Sequence, residues 1–213
     1  MDHASEREQL VMLSRRASSS GLSVGTSGNL SIRVDSGVLI TPSGRDPERA
    51  DLGDICLMDL DGSQIGGDLD PSSEVPMHLA IYRTSDADAV VHTHSPYATT
   101  LSLTIDELPA AHYTINGLGG PVRVAPYATF GTPQLAQNIA AALTDRSAAI
   151  LQNHGAITTG ASLQQAFDRA VLLEWLCTLH WRALQVGRPK ILTESELADV
   201  RDQSARLRYG SQR

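Results

Sequence analysis

Ala87 to His94, strongly apolar and closed by His92-Thr93-His94, constrains this chain more than any other stretch. It reads as a strand, and side chains alternate across a strand. The two imidazoles therefore project from one face, roughly 6–7 Å apart at Cα. That separation lets two ring nitrogens converge on one ion at about 2.0–2.1 Å. A second apolar run, Ala148 to Gln152, leads into Asn153-His154-Gly155, where Gly155 would let the backbone turn sharply. Either site alone would pass as an ordinary strand end or loop. Together they offer three histidines and an open position, which suits a catalytic metal site better than a closed structural one. His3, His78, His112 and His180 lack such spacing and read as surface or core residues.

Helices and strands are mixed along the chain. Helices are expected over 4–20, 74–84, 96–103, 132–143, 162–186 and 193–208, and strands over 29–34, 37–41, 57–60, 87–94, 122–126 and 148–152. Ser5 is a candidate cap for the first helix and Gly21 its stop. Thr193 and Glu196 form a capping box for the last. The turn Asp35-Ser36-Gly37 joins the first two strands. No repeat, low-complexity stretch or linker interrupts the 213 residues, so residues 1–213 read as a single domain with one central sheet, α/β or α+β. Aromatics are only 4%, which leaves Leu, Val, Ile and Ala to fill the core.

The net charge of −7, with no basic run longer than Arg15-Arg16, argues against nucleic acid or an anionic membrane as partner. It also means that an anionic substrate must be captured by local donors, because the overall field repels it. Cys56 and Cys177 lie far apart in apolar contexts and read as reduced core residues, which places the protein in the cytoplasm. Met1 to Arg16 is charged and amphipathic, unlike a signal peptide, and nothing approaches the ~20 apolar residues of a spanning helix.

Lys190 is the only lysine. A carbanion beside a carbonyl is stabilised either by a Schiff base on a desolvated lysine or by a metal acting as a Lewis acid. Gly187-Arg188-Pro189-Lys190 reads as an exposed loop, a poor place to depress an amine pKa, so any carbonyl chemistry here favours the metal. Pro71-Ser72-Ser73-Glu74 precedes an amphipathic helix. Ser72 or Ser73 can cap it and Glu74 suits its positive end; equally, the serines can hold a phosphate while Glu74 reaches the metal as ligand or base. Gly25-Thr26-Ser27-Gly28-Asn29 and Thr41-Pro42-Ser43-Gly44 read either as turns or as further phosphate-cradling loops that use neutral donors. Neither matches a dinucleotide or Walker fingerprint.

Taken together, Gly25-Thr26-Ser27-Gly28-Asn29-Leu30-Ser31, Leu39 to Gly44, Pro71 to Glu74, Val90 to His94, Pro109 to Tyr113, Ala125 to Thr132 and Gln152 to Gly155 resemble the class II aldolase/adducin family over essentially the whole chain. The resemblance implies a three-layer α/β/α fold around a mostly antiparallel sheet, assembled as a homotetramer with active sites between subunits. It implies one zinc per subunit on His92, His94 and His154, completed by Glu74, although histidine ligands also suit cobalt and manganese. Gly28, Asn29, Ser43, Gly44, Ser72 and Ser73 would hold the phosphate of a small phosphorylated sugar. Glu74 would shuttle a proton, Tyr113 from a neighbouring subunit would serve the aldehyde oxygen, Tyr209 would close the site, and Phe130 would line the aldehyde pocket. The implied reaction cleaves a ketose 1-phosphate, L-fuculose 1-phosphate or a 5-deoxypentulose 1-phosphate, into dihydroxyacetone phosphate and a short aldehyde. Pentulose-5-phosphate 4-epimerases and sugar-acid phosphate decarboxylases of the same family are the alternatives. The epimerase branch typically carries Asp in place of Glu74, and Thr-His-Ala-Asp in place of His112-Tyr113-Thr114-Ile115, which favours the aldolase. The adducin branch lacks the metal histidines.

Overall fold

A computed structural model describes residues 2–207. Helix α1 spans Ala4–Ser19, followed by strands β1 (Asn29–Val34) and β2 (Gly37–Ile40) joined by the expected tight turn. Two short 3-10 turns lead to β3 (Cys56–Met58) and β4 (Gln64–Gly66). Then come α2 (Val75–Thr84), β5 (Ala89–Thr93), α3 (Pro96–Ser102), β6 (Glu107–Leu108), a 3-10 helix over Tyr113–Leu118, and β7 (Val122–Ala125). The chain continues through α4 (Pro133–Ala142), β8 (Ala148–Leu151), β9 (Gly155–Gly160), α5 (Leu163–Val186) and α6 (Glu194–Arg206).

The strands form one sheet in the order β4-β3-β2-β1-β5-β9-β8-β7-β6. Every neighbouring pair is antiparallel except β7 and β8. Alternation along β5 builds the layers. Val90 faces α2 and α4, where it joins Met77, Ile81, Leu135 and Ile139. Ala89 and Val91 face the opposite side and pack on Leu10 and Leu13 of α1 and on Phe167 of α5. Ala148, Ile150 and Ala156 extend that second side to α3 and α5. The result is the expected helix–sheet–helix sandwich, and burying each Leu or Ile in it contributes roughly 1.5–3 kcal/mol.

Three local expectations are corrected. Ser5 does not cap α1; the cap position is His3, which makes no side-chain cap bond. Neither Ser72 nor Ser73 is the cap of α2, since that position is Glu74 itself. Gly155 is not the turning residue, because the left-handed φ of 56° belongs to Asn153. A Cβ on Gly155 would instead lie 2.3 Å from the Thr93 carbonyl oxygen, so glycine is required there by the close approach of β5 and β9. Strands β4, β6 and β9 were not expected from the sequence.

Candidate metal centre and substrate cleft

His92 sits in the centre of the sheet, opposite Asn29 of β1 and Ile157 of β9, and is fully buried. Its Nδ1 lies 2.9 Å from the Ala156 carbonyl, which can only accept. Nδ1 therefore carries the proton and Nε2 of the neutral ring presents a bare lone pair. His94, one residue past the end of β5, brings its Nε2 to 3.0 Å from that of His92. The Gln152-Asn153 turn between β8 and β9 delivers His154 from the other side. The three rings form a nearly symmetric triangle, with centroids 4.9 Å apart in each pair and planes inclined by 71–82°.

Glu74 closes the cluster from the start of α2. Its Oε2 lies 3.1 Å from His92 Nε2, and its Oε1 lies 3.3 Å from His154 Nε2. Oε2 also accepts from the Asn29 amide at 2.9 Å. Burial works against ionisation of Glu74, but the neighbouring His92 and His154 and the Asn29 donor outweigh it and hold the carboxyl well below the usual range. Burial pushes His94 down to about 4, helped by repulsion from His92 and His154, and it lowers His154 in the same way. His94 and His154 are therefore held toward the neutral form, with lone pairs available.

One ligand atom from each of Glu74, His92, His94 and His154 falls within 4.8 Å of all the others. Tetrahedral ligands at about 2.0–2.1 Å from an ion stand roughly 3.3–3.4 Å apart, close to the spacings seen. Glu74 Oε1 is buried and, among the described residues, has no hydrogen-bond donor. A buried carboxylate oxygen facing imidazole lone pairs is costly without a positive charge between them. The site fits a divalent metal bound through nitrogen and oxygen.

The cluster opens into a cleft of about 330 Å³, a volume typical of small-molecule sites. Gly28, Asn29, Ser43, Gly44, Ser72, Ser73 and Phe130 all line it, beside Glu74, His94 and His154. The loops are tied to one another: Ser43 N–H donates to Asp70 O at 2.9 Å and Ser72 N–H to Thr41 O at 3.3 Å. Gly28 has φ +81°, and a Cβ there would lie 2.8 Å from the His92 carbonyl oxygen, so only glycine lets this loop lie against the metal strand. Ser72 Oγ accepts from the Glu74 backbone N–H at 3.2 Å and so shapes the entry to α2. Among the described residues no lysine or arginine lines the cleft. Arg45, the nearest cation in sequence to these loops, is held by Asp54 at 2.8 Å.

Tyr113 does not line this cleft; it is 45% exposed at the start of a 3-10 helix and stacks on His112. Tyr209 lies outside the described residues. Tyr127 and Ala128 also line the cleft but were not singled out from the sequence. His78 was read as an ordinary residue, yet it is fully buried and hydrogen-bonded to Asn29 at 2.6 Å.

Comparison with known proteins agrees with this geometry. The family description "Class II Aldolase and Adducin N-terminal domain" matches residues 8–181. A 5-deoxy-D-ribulose 1-phosphate aldolase of Bacillus thuringiensis serovar kurstaki is 42% identical over 198 residues, 92% of this chain and 93% of the relative. An L-fuculose phosphate aldolase of Escherichia coli O6:H1 is 41% identical over 183 residues, 84% of this chain and 85% of the relative. A solved L-fuculose 1-phosphate aldolase superposes with a TM-score of 0.92 at 36% identity, covering 96% of this chain and 98% of that one. The chain belongs to the class II aldolase and adducin family.

Proposed function

We propose that this protein is a divalent-metal-dependent aldolase, with zinc as the resident ion, that reversibly cleaves a ketose 1-phosphate into dihydroxyacetone phosphate and a short aldehyde. The substrate is L-fuculose 1-phosphate or a 5-deoxypentulose 1-phosphate, the two classes named in its relatives. The observation that carries this reading is the convergence of Glu74, His92, His94 and His154 at the base of a cleft walled by hydroxyl- and glycine-rich loops. An ion bound there supplies Lewis-acid polarisation of the ketose carbonyl, which stabilises the carbanion left when the C3–C4 bond breaks.

The protein's own groups do the rest. Gly28, Asn29, Ser43, Gly44, Ser72 and Ser73 bind the phosphate through neutral donors, aided by the positive end of α2. This answers the problem posed by a net charge of −7: affinity for the anion comes from local dipoles. Glu74 takes and returns the proton at C3 of dihydroxyacetone phosphate. The partner subunit's Tyr113 serves the aldehyde oxygen, Tyr209 closes the site, and Phe130, 62% exposed at the cleft mouth, packs on the aldehyde chain. Such sharing requires more than one subunit, and the assembly proposed is a homotetramer of single-domain chains, here residues 1–213. Among the described residues no helix is long and apolar enough to cross a membrane, and we place the enzyme in the cytoplasm.

The test is a coupled assay on L-fuculose 1-phosphate, 5-deoxyribulose 1-phosphate and L-ribulose 5-phosphate, with and without chelator. Dihydroxyacetone phosphate released from a 1-phosphate, and lost on chelation, is the expected result. Epimerisation of L-ribulose 5-phosphate with no triose released would overturn the aldolase in favour of the epimerase branch.

A further inference from the structure

A line of buried polar groups runs from the Glu74–histidine cluster into the layer between the sheet and α2, and the proposed reaction uses only its end. Tyr82 Oη lies 2.7 Å from Ser31 Oγ, Ser31 Oγ lies 2.6 Å from His78 Nδ1, and His78 Nε2 lies 2.6 Å from Asn29 Oδ1. Asn29 Nδ2 then reaches Glu74 Oε2 at 2.9 Å. All five residues are buried.

The protons along this line are fixed by elimination. An ionised Glu74 can only accept, so Asn29 must turn its NH2 toward it and its carbonyl toward His78. His78 Nε2 must therefore carry a proton. His78 is neutral, its pKa pushed down to about 3 by burial first and then by repulsion from His92, so Nδ1 is a lone pair and must accept from Ser31. Ser31, having given its only proton, accepts from Tyr82. Each donor points toward the carboxylate, and hydrogen bonds in such a chain reinforce one another.

We propose that His78 is a positioning residue for Glu74: through the Asn29 amide it sets which face of that amide meets the carboxylate, and so holds Glu74 among the three metal-site histidines. The proposal rests on the reading of Glu74 as metal ligand and base. Without the His78 Nε2–H, the Asn29 amide is free to rotate and present its oxygen to a carboxylate, a repulsive contact. Groups that orient metal ligands from behind typically change metal affinity or activity about 10–100-fold when lost.

The test uses the full chain, stripped of metal and titrated with Co(II), reading affinity by calorimetry and ligand geometry from the visible absorption band. The variants are His78→Asn, His78→Gln and Glu74→Gln, with thermal unfolding of each metal-free protein as control. We expect His78→Asn, too short to reach Asn29, to bind Co(II) about ten-fold more weakly and to shift the band in the same direction as Glu74→Gln. His78→Gln, whose amide N–H can reach Asn29, should recover most of both. A His78→Asn protein with unchanged affinity and band, alongside an altered Glu74→Gln, overturns the positioning role alone. A Glu74→Gln protein indistinguishable from wild type overturns the reading of Glu74 and this proposal with it. Equal losses in both His78 variants, tracking equal losses of thermal stability, would reduce His78 to a space-filling group. If His78→Asn does not fold, Ser31→Ala decides, because it keeps the ring and frees its tautomer, losing otherwise only the acceptor of the distant Tyr82 hydroxyl. The same band shift with a few-fold loss of affinity supports the proposal, and an unchanged Ser31→Ala protein overturns it.

Discussion

Replacing Glu74 by glutamine keeps the size of the side chain and removes its charge. In the structure Oε2 accepts from Asn29 at 2.9 Å, while Oε1 faces His154 Nε2 at 3.3 Å with no donor among the described residues. The variant's carbonyl can keep the Asn29 bond and its amide nitrogen can take the place of Oε1, so nothing need move. What disappears is a group able to take and return a proton. General acid–base groups contribute typically ~10²–10⁴-fold, or about 3–5 kcal/mol of barrier. We therefore expect kcat to fall at least about a hundredfold, with KM changed only a few-fold because the loops proposed to hold the phosphate are untouched. Zinc should remain on His92, His94 and His154. The metal-free variant should unfold earlier than metal-free wild type, because the interactions that hold the Glu74 carboxyl below its usual range stabilise the folded state and go with the charge. The measurements are the coupled release of dihydroxyacetone phosphate, metal content by mass spectrometry and thermal unfolding. A kcat within about threefold of wild type would remove Glu74 from the mechanism. A variant that loses zinc completely would show that Glu74 holds the ion more than it moves protons.

Other perturbations separate the parts of this reasoning. Gly28→Ala, at φ +81° with a Cβ only 2.7 Å from Ser23 Oγ, should cost roughly 1–3 kcal/mol and weaken metal retention; unchanged urea unfolding would mean that the loop yields to the added methyl without strain. Lys190→Ala, in the exposed loop between α5 and α6, should leave kcat and KM unaltered, and borohydride with dihydroxyacetone phosphate should not trap the protein; trapping would overturn the metal route. His78 has an ordinary pKa of 6.5 and a folded value of about 3, so below pH 6.5 the unfolded chain binds a proton that the folded one refuses. Its contribution to stability is full above pH 6.5 and is lost as the pH falls toward 3. Between pH 6.5 and 5 the loss is about 1.5 kcal/mol. Urea unfolding of metal-free wild type and His78→Gln at both pH values checks this, and parallel pH slopes would refute it.

The sequence carried the residues of the metal-competent cluster and of the cleft loops because both sit at ends of elements, where residue type and local geometry are tightly linked. His92 and His94 follow an apolar strand at a spacing of two, and Ser72, Ser73 and Glu74 precede an amphipathic helix. Strand β9 was hidden because Gly-Ala-Ile-Thr-Thr-Gly has neither alternation nor a strongly apolar run. All six of its residues are buried, and Thr158 satisfies its hydroxyl on the Ala166 carbonyl at 2.7 Å, a partner that only the tertiary fold supplies. Tyr127 was hidden for a different reason: a cleft wall built from an irregular loop leaves no period to read.

The buried polar line had a signal that went unread. Glu74, His78 and Tyr82 are four residues apart and share one face of α2, while Asn29 and Ser31 are two apart and share one face of β1. Four helical residues advance about 6 Å and two strand residues about 6.7 Å. A helix lying along a strand therefore presents side chains at nearly the same step as the strand does, and the two rows can interleave without either backbone bending. Asn29 falls between Glu74 and His78, and Ser31 falls between His78 and Tyr82. The mismatch of under 1 Å per step accumulates, which limits such a ladder to a few rungs and explains why it joins five groups. Polar residues at i, i+4 and i+8 of a helix, facing polar residues at i and i+2 of an apolar strand, are difficult to place in a core for packing alone. Here the last rung is the carboxylate of the metal-competent cluster, so the ladder carries the rigidity of the core out to the group proposed to take and return a proton.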